Sequence, residues 1–150
     1  MKKSKRLKMI VGLLEKKEQG AAQALSQRLG EKQALMEQLN TLEEFRSNYS
    51  SEFGGVGGKS QSPGQLQEFQ MFMANINSAI SDQKKALQQL EPQLTNSRKV
   101  WESAHVKTQG IQKFREQAVE LEQNEQDKRE QTAMDDKAGR RKDGTQFSRY

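Results

Sequence analysis

A heptad pattern of apolar residues in the second half of the chain constrains the fold more than any other feature. It starts at Leu66, advances alternately by three and four residues, and reaches Ala118 without a break in register. Twelve of its sixteen positions are apolar. A spacing that averages about 3.5 residues keeps one side of a helix against a partner helix as the two supercoil. The pattern therefore predicts a long helix whose seam contains Leu66, Phe69, Met73, Ile76, Ile80, Gln83, Leu87, Leu90, Leu94, Ser97, Trp101, Ala104, Thr108, Ile111, Arg115 and Ala118.

Pro92 lies inside this heptad pattern, and a proline there removes one helix hydrogen bond and bends the helix. In this register Pro92 falls at position f, on the face away from the partner, where a bend is tolerable. We therefore expect one continuous second helix, from about residue 65 to about residue 128.

The first half of the chain is also predicted to be helical, from about residue 4 to about residue 50. Its apolar residues are spaced by three, four and seven, so the apolar stripe is expected to drift around the helix. Gly12, Gly20 and Gly30 weaken it by about 1 kcal/mol each relative to alanine. The first helix is therefore expected to be the less stable one, with fraying first turns and a stripe made of Leu7, Ile10, Leu14, Ala21, Leu25, Leu29, Leu35, Leu39, Leu42, Phe45 and Tyr49.

A glycine-rich stretch, "FGGVGGKSQSPG", separates the two helical halves. It ends in Gly-Lys-Ser as a phosphate-binding loop does, but Phe53 occupies the place of that motif's first glycine, and no buried strand precedes it. We interpret it as a turn at about residues 51–64 that folds the helices back as an antiparallel pair. A fold centre near residue 57 places Leu35 near Ala79 and Leu42 near Phe72. The alternative is a parallel dimer of uninterrupted rods.

The composition agrees with long helices that bury one narrow stripe, since 32% of the residues are hydrophobic and 30% are charged. There is no cysteine, and no segment approaches the roughly 20 apolar residues of a membrane span. A soluble, cytoplasmic protein with no direct membrane insertion is expected. The coiled coil is predicted to occupy residues 1–130, followed by a charged, disordered tail at 131–150.

No residue set in the sequence predicts catalysis, a cofactor or a metal. His105 is the single histidine, at an e position beside the seam, and it has no cysteine or second histidine to accompany it. The acidic residues are scattered along helix faces, and a pair of helices offers no pocket that excludes water. We therefore expect a protein that is not an enzyme.

Positive charge is concentrated at both ends of the chain, in Lys2–Lys8 and Arg140–Lys142, within a net charge of +5. Such clusters suit nucleic acid, anionic lipid or an acidic protein surface, or they simply keep the ends solvated. The aromatic residues lie mostly at heptad positions and are not interleaved with the basic residues, so nucleic-acid binding is not expected.

An apolar face near the turn is wider than two paired helices can bury. It combines the end of the first helix, which carries Leu42, Phe45 and Tyr49, with the start of the second, which carries Phe72 and Ala79. Exposed apolar surface of this kind often marks a partner-binding site. Alternatively, the hairpin is locally thick there, or a third segment covers the face.

The same stretches resemble the FliJ family of the bacterial flagellar type III export apparatus. The resemblance extends over about residues 7 to 125, through "LEEFRSNYSSEF", the Gly/Ser linker, "LQEFQMFMANINSAISDQKKAL" and "SRKVWESAHVKTQGIQKFREQ". It implies a cytoplasmic antiparallel coiled coil, peripheral to the inner face of the cell membrane and similar to the stalk of rotary ATPases.

The resemblance also implies three partners: a hexameric export ATPase ring around the two chain ends, an export-gate membrane protein at the turn, and export chaperones. The implied gate-binding residues are Gln38, Leu42, Phe45, Tyr49, Phe72, Ile76, Ala79 and Gln83. Two alternatives are the stalk protein of a virulence-type injectisome, which shares this layout, and a generic coiled-coil scaffold with no role in export.

Overall fold

The computed structural model describes residues 2–55 and 62–147, and these residues form two long helices. Helix α1 comprises Lys3–Gly55 and helix α2 comprises Pro63–Phe147. The described ranges contain no strand. The prediction of an all-α, two-helix antiparallel coiled-coil hairpin is confirmed.

The chain divides into two compact units, and each unit pairs α1 with α2. One unit consists of residues 1–18 and 104–150, and the other of residues 19–103. In the first, Ser4 bonds to Glu122 while Glu15 bonds to Gln112, so the paired helices are antiparallel. In the second, Lys32 pairs with Glu91 and Arg46 with Asn77, so the direction is again antiparallel.

The heptad seam of α2 is as predicted. Fifteen of its sixteen positions are buried or half-buried, and only Leu66, 46% exposed, is not. Leu94 and Ile80, at 2% and 3% exposure, are among the most buried residues of the described chain. The polar seam residue Thr108 is also buried, and its hydroxyl donates to the carbonyl of Ala104. Pro92 is exposed within an unbroken α2, as its f position predicted.

The seam of α1 is more regular than predicted. Fourteen positions spaced alternately by four and three residues are all buried or half-buried. Four of them are charged, so apolar periodicity alone did not reveal the pattern. Ile10, Leu29 and Phe45, which were assigned to the stripe, are exposed instead. The seam of α1 is Leu7, Val11, Leu14, Glu18, Ala21, Leu25, Arg28, Lys32, Leu35, Leu39, Leu42, Arg46, Tyr49 and Phe53.

The predicted register of the hairpin is wrong. A fold centre near residue 57 would place Arg46 opposite Glu68, whereas its guanidinium donates to the side-chain oxygen of Asn77 at 3.1 Å. Leu35 was expected beside Ala79, yet its carbonyl accepts a bond from Gln83. The reason is that α1 continues through residues 51–55, which were assigned to the turn, so each α1 residue pairs with a later residue of α2 than predicted.

A capping box starts α2 at Ser62, earlier than the predicted start at about residue 65. The backbone N–H of Gln65 donates to the Ser62 hydroxyl at 3.2 Å, and the Ser62 N–H donates to the Gln65 side-chain oxygen at 3.0 Å. Each residue thereby satisfies a backbone donor of the other. Pro63 follows at the first helical position, where its missing N–H costs nothing. Half of the glycine-rich stretch, residues 56–61 including Gly58-Lys59-Ser60, lies outside the described residues.

Helix α2 extends past its predicted end at about residue 128, and its last residue is Phe147. All side chains from Gln123 to Arg140 are exposed, so this part of the extension buries no side chain. Residues 131–140, assigned to a disordered tail, are helical here because they are mostly good helix formers. Hydrogen bonds between residues four apart support the start of the extension, at Gln123–Asp127 and Gln126–Glu130.

Candidate partner-binding surface

Five aromatic rings from the two helices form a ladder in the unit of residues 19–103. The rings of Phe53 and Phe69 stack with centroids 3.8 Å apart, and Phe69 also stacks on Tyr49 at 5.6 Å. Tyr49 meets Phe72 at 4.2 Å, and Phe72 meets Phe45 at 6.0 Å, both tilted. Such ring pairs contribute about 0.5–1.5 kcal/mol each beyond the area they bury. The aromatic ladder, defined as Phe45, Tyr49, Phe53, Phe69 and Phe72, therefore fixes the two helices to each other near the turn.

The position of each ring along its helix explains why the ladder leaves one side exposed. Tyr49, Phe53 and Phe69 are seam residues, and Phe72 lies beside the seam at position g. Phe45 lies one residue before the seam position Arg46 and is 56% exposed. The ladder thus begins inside the seam and ends on the surface at Phe45.

A second group of predicted site residues, Gln38, Leu42 and Gln83, lies further from the turn than the aromatic ladder does. The amide nitrogen of Gln83 donates to the side-chain oxygen of Gln38 and, at 3.5 Å, to the backbone carbonyl of Leu35. Gln38, Leu42 and Gln83 line a shallow surface groove together with Ala34, Glu37 and Thr41. This groove presents amide, carboxylate and hydroxyl groups next to a half-buried leucine, which suits a partner that offers both apolar and polar contacts.

The eight predicted site residues differ in what they can offer a partner. Gln38 and Phe45 are exposed, whereas Ile76 is only 7% exposed and belongs to the seam. The other five, Leu42, Tyr49, Phe72, Ala79 and Gln83, are half-buried. Phe45, Tyr49 and Phe72 are in ring contact, and Gln38 is bonded to Gln83, but Ile76 can only support the surface from below.

Sequence reasoning missed three features of this region. Phe53 was assigned to the turn, yet it is part of the ladder. Leu66 and Met71 are 46% and 61% exposed and add apolar surface at the start of α2. Met71 was detectable, because it is an apolar residue outside the heptad seam. A basic groove lined by Arg46, Lys84 and Lys85 also borders the seam residue Ile80.

His105, the single histidine of the chain, pairs with an acidic side chain across the hairpin. Nδ1 of His105 lies within hydrogen-bonding distance of Oε1 of Glu18. The described residues contain no group of three or more His, Asp or Glu side chains arranged to hold a metal ion. Within the same residues, neither helix has a stretch that is both apolar and long enough to span a bilayer.

Comparison with known protein families places the chain. The family model described as "Flagellar FliJ protein" matches residues 2–143, which is nearly all of the 150-residue sequence. No significant match was found among curated proteins or among solved structures. The chain belongs to the FliJ family, whose members are non-enzymatic components of the flagellar protein-export apparatus.

Proposed function

We propose that this protein is the stalk-like coiled coil of the flagellar export apparatus, which links the hexameric export ATPase ring to the export-gate membrane protein. It acts in the cytoplasm without catalysing a reaction, and it also binds or escorts export chaperones. Membership of the FliJ family supports a role in the flagellar export apparatus. The two-helix coiled coil supports a stalk-like structure. The match is to a flagellar family, which favours this proposal over an injectisome stalk.

The observation that carries the gate-binding proposal is the exposed end of the aromatic ladder. Phe45 is 56% exposed although its ring contacts that of Phe72. Its side chain is therefore both held in position and accessible to a partner. Aromatic anchors that are fixed before binding lose little conformational entropy on binding, and they dominate many interfaces. The neighbouring groove at Gln38 supplies the polar contacts.

The proposed ring-binding region is the unit formed by residues 1–18 and 104–150. Its α1 segment carries Lys5, Arg6 and Lys8 on exposed positions, which suits an acidic interior of a ring.

The gate proposal is tested with the purified cytoplasmic domain of the export-gate protein and titration calorimetry. Phe45→Ala should weaken binding at least tenfold, since aromatic hot spots are worth about 2 kcal/mol or more. Phe114→Ala is the matched control, because Phe114 is 46% exposed but lies in the other unit. Unchanged affinity of the Phe45 variant would refute this surface, and absence of binding by the unmodified protein would refute the gate as its partner.

A further inference from the structure

The outer face of the first turns of α1 is both apolar and basic. Leu7 and Val11 point to α2 and are 9% and 5% exposed, whereas Met9 and Leu13 are 62% and 63% exposed. Steps of three and four residues place further exposed side chains on the same face. The N-terminal strip is defined as Lys5, Arg6, Met9, Ile10, Leu13, Lys16 and Lys17, all of which are exposed.

No negative charge opposes the strip from its own helix. Residues 2–20 contain two acidic residues, Glu15 and Glu18. Glu15 accepts a bond from Gln112 at 2.9 Å, and Glu18 pairs with His105, so both carboxylates are turned to α2. Four cations and three apolar side chains thus share one convex helix face.

We propose that the N-terminal strip adsorbs to the surface of an anionic lipid bilayer. A helix that lies in the membrane interface buries apolar side chains just below the headgroups, while lysine and arginine bind the lipid phosphates. Met9, Ile10 and Leu13 form the centre of the strip, and the cations stand at its two ends, Lys5 and Arg6 before them and Lys16 and Lys17 after them. Their long stems allow the charged groups to reach the headgroups while the centre is immersed. This is adsorption to one surface, not insertion across the bilayer.

The apolar centre of the strip favours lipid over an acidic macromolecule. An acidic protein face or a nucleic-acid backbone attracts the four cations but gives no reason for exposed Met9 and Leu13 between them. The face is also convex and belongs to one helix, so it offers no groove for a partner segment. A bilayer surface satisfies the cations and the apolar side chains together without a matched shape.

This inference goes beyond the proposed stalk function and does not depend on it. A ring that encloses the end of the hairpin would cover the strip, so adsorption and ring binding are alternative states of the same residues. A vesicle assay contains neither the ATPase nor the gate. Its failure therefore leaves the proposed function untouched, and failure of the gate titration leaves adsorption untouched.

The test is sedimentation of the full chain with vesicles of phosphatidylcholine containing phosphatidylglycerol, and with vesicles of phosphatidylcholine alone. Binding is expected only to the anionic vesicles. Lys5→Gln and Lys16→Gln should each weaken it roughly fivefold, since one basic residue near such a surface is worth about 1 kcal/mol. Met9→Gln combined with Leu13→Gln should weaken vesicle binding at least fivefold. Partial burial of even one of these apolar side chains in the bilayer stabilises binding by about 1 kcal/mol, which is a fivefold change.

Matched controls remove the same groups elsewhere. Met134→Gln replaces a methionine that is 69% exposed on the α2 extension, and Lys84→Gln replaces an exposed lysine of the other unit. Both variants should bind vesicles as the unmodified protein does, and circular dichroism should show equal helicity for all variants. Absence of binding to anionic vesicles overturns the proposal. So does binding that the Met9 and Leu13 variant retains in full, because attraction of charge alone would then suffice and an acidic protein would fit equally well.

Discussion

Ser4, in the first turn of α1, and Glu122, in the second half of α2, are joined by two hydrogen bonds. The Ser4 hydroxyl donates to one carboxylate oxygen at 2.6 Å, and the Ser4 backbone N–H donates to the other at 3.2 Å. The first N–H groups of a helix have no partner within it, so the carboxylate of Glu122 caps α1 from the neighbouring helix. The predicted fraying of the first turns of α1 is opposed by this cap and by Lys3, whose ammonium lies 4.6 Å from the ring centre of Phe114.

The cap predicts how stability depends on pH. The hydrogen bond from the Ser4 hydroxyl, then that from its N–H, and to a lesser degree the charge of Lys2 hold the pKa of Glu122 below its ordinary value of 4.5. A carboxyl with a lowered folded-state pKa stabilises the fold fully above its unfolded pKa, and the stabilisation disappears as the pH falls through the folded value. Glu122→Gln should therefore lower the melting temperature at pH 7, and the difference from the unmodified protein should shrink below pH 4.5.

Thermal melts followed by circular dichroism at several pH values would measure this difference. Glu116→Gln is the control, because Glu116 is an exposed carboxylate on the outer face of the same helix. A melting difference for Glu122→Gln that stays constant from pH 7 to pH 3 would exclude the ionised cap as its cause.

The corrected register predicts which introduced cysteines can be linked. The chain has no native cysteine, so pairs can be introduced without background. Arg46→Cys with Asn77→Cys should be joined by a short bifunctional maleimide within one chain, because these side chains meet at 3.1 Å. Arg46→Cys with Glu68→Cys, which the register inferred from the sequence would favour, should react slowly. Electrophoresis and mass spectrometry distinguish the products, and links between two chains would contradict the hairpin.

The seam of α2 was predictable because most of its positions are apolar, and periodicity is visible only through apolar residues. The seam of α1 was not, because Glu18, Arg28, Lys32 and Arg46 occupy four of its positions. Long charged side chains can cover a seam with their apolar stems while their ends reach polar partners. Lys32 does this with Glu91 at 2.9 Å, and that partner is known only once the register is known.

The candidate surface was predictable in membership but not in arrangement. Apolar excess near the glycines identified Phe45, Tyr49 and Phe72 as neighbours, and their rings do meet. The end of α1 was placed too early, because the serines and glycines from residue 50 onward are typical of turns. That error excluded Phe53 from the helix and moved every predicted contact across the hairpin.

Two glycines in α1 predict a simple gain in stability. Gly20 and Gly30 are helical, and a Cβ built at either position would meet nothing within 4 Å. Alanine there should raise the free energy of unfolding by about 0.5–1 kcal/mol per site, since glycine loses more backbone entropy in a helix. Chemical denaturation of the single and double variants would measure this, and the effects should add because the sites are ten residues apart. A lower free energy of unfolding in either variant would contradict this prediction, because it would mean that the alanine methyl group is not accommodated at that position.

The aromatic ladder predicts that its interior rings and its exposed end have different roles. Phe72→Ala removes a half-buried ring that contacts both Tyr49 and Phe45, so it should lower the free energy of unfolding by roughly 1–3 kcal/mol. Tyr49→Ala should lower the free energy of unfolding by a similar amount. Phe45→Ala removes an exposed ring with one ring partner, so it should lower the free energy of unfolding by less than about 1 kcal/mol. Loss of partner binding in the first two variants would therefore mix folding with recognition.

A double-mutant cycle separates these effects for Tyr49 and Phe72. Their rings are 4.2 Å apart, so the double variant should lose less stability than the two single losses combined, by about 0.5–1.5 kcal/mol. The same cycle for Phe45 and Phe53 should give simple additivity, because these residues lie eight positions apart on α1, about 12 Å along the helix axis. If Phe72→Ala left stability unchanged while Phe45→Ala reduced it, Phe45 rather than Phe72 would be the ring that stabilises the pairing of the helices. Phe45 would then be part of the core, and it could not be the anchor that a partner binds.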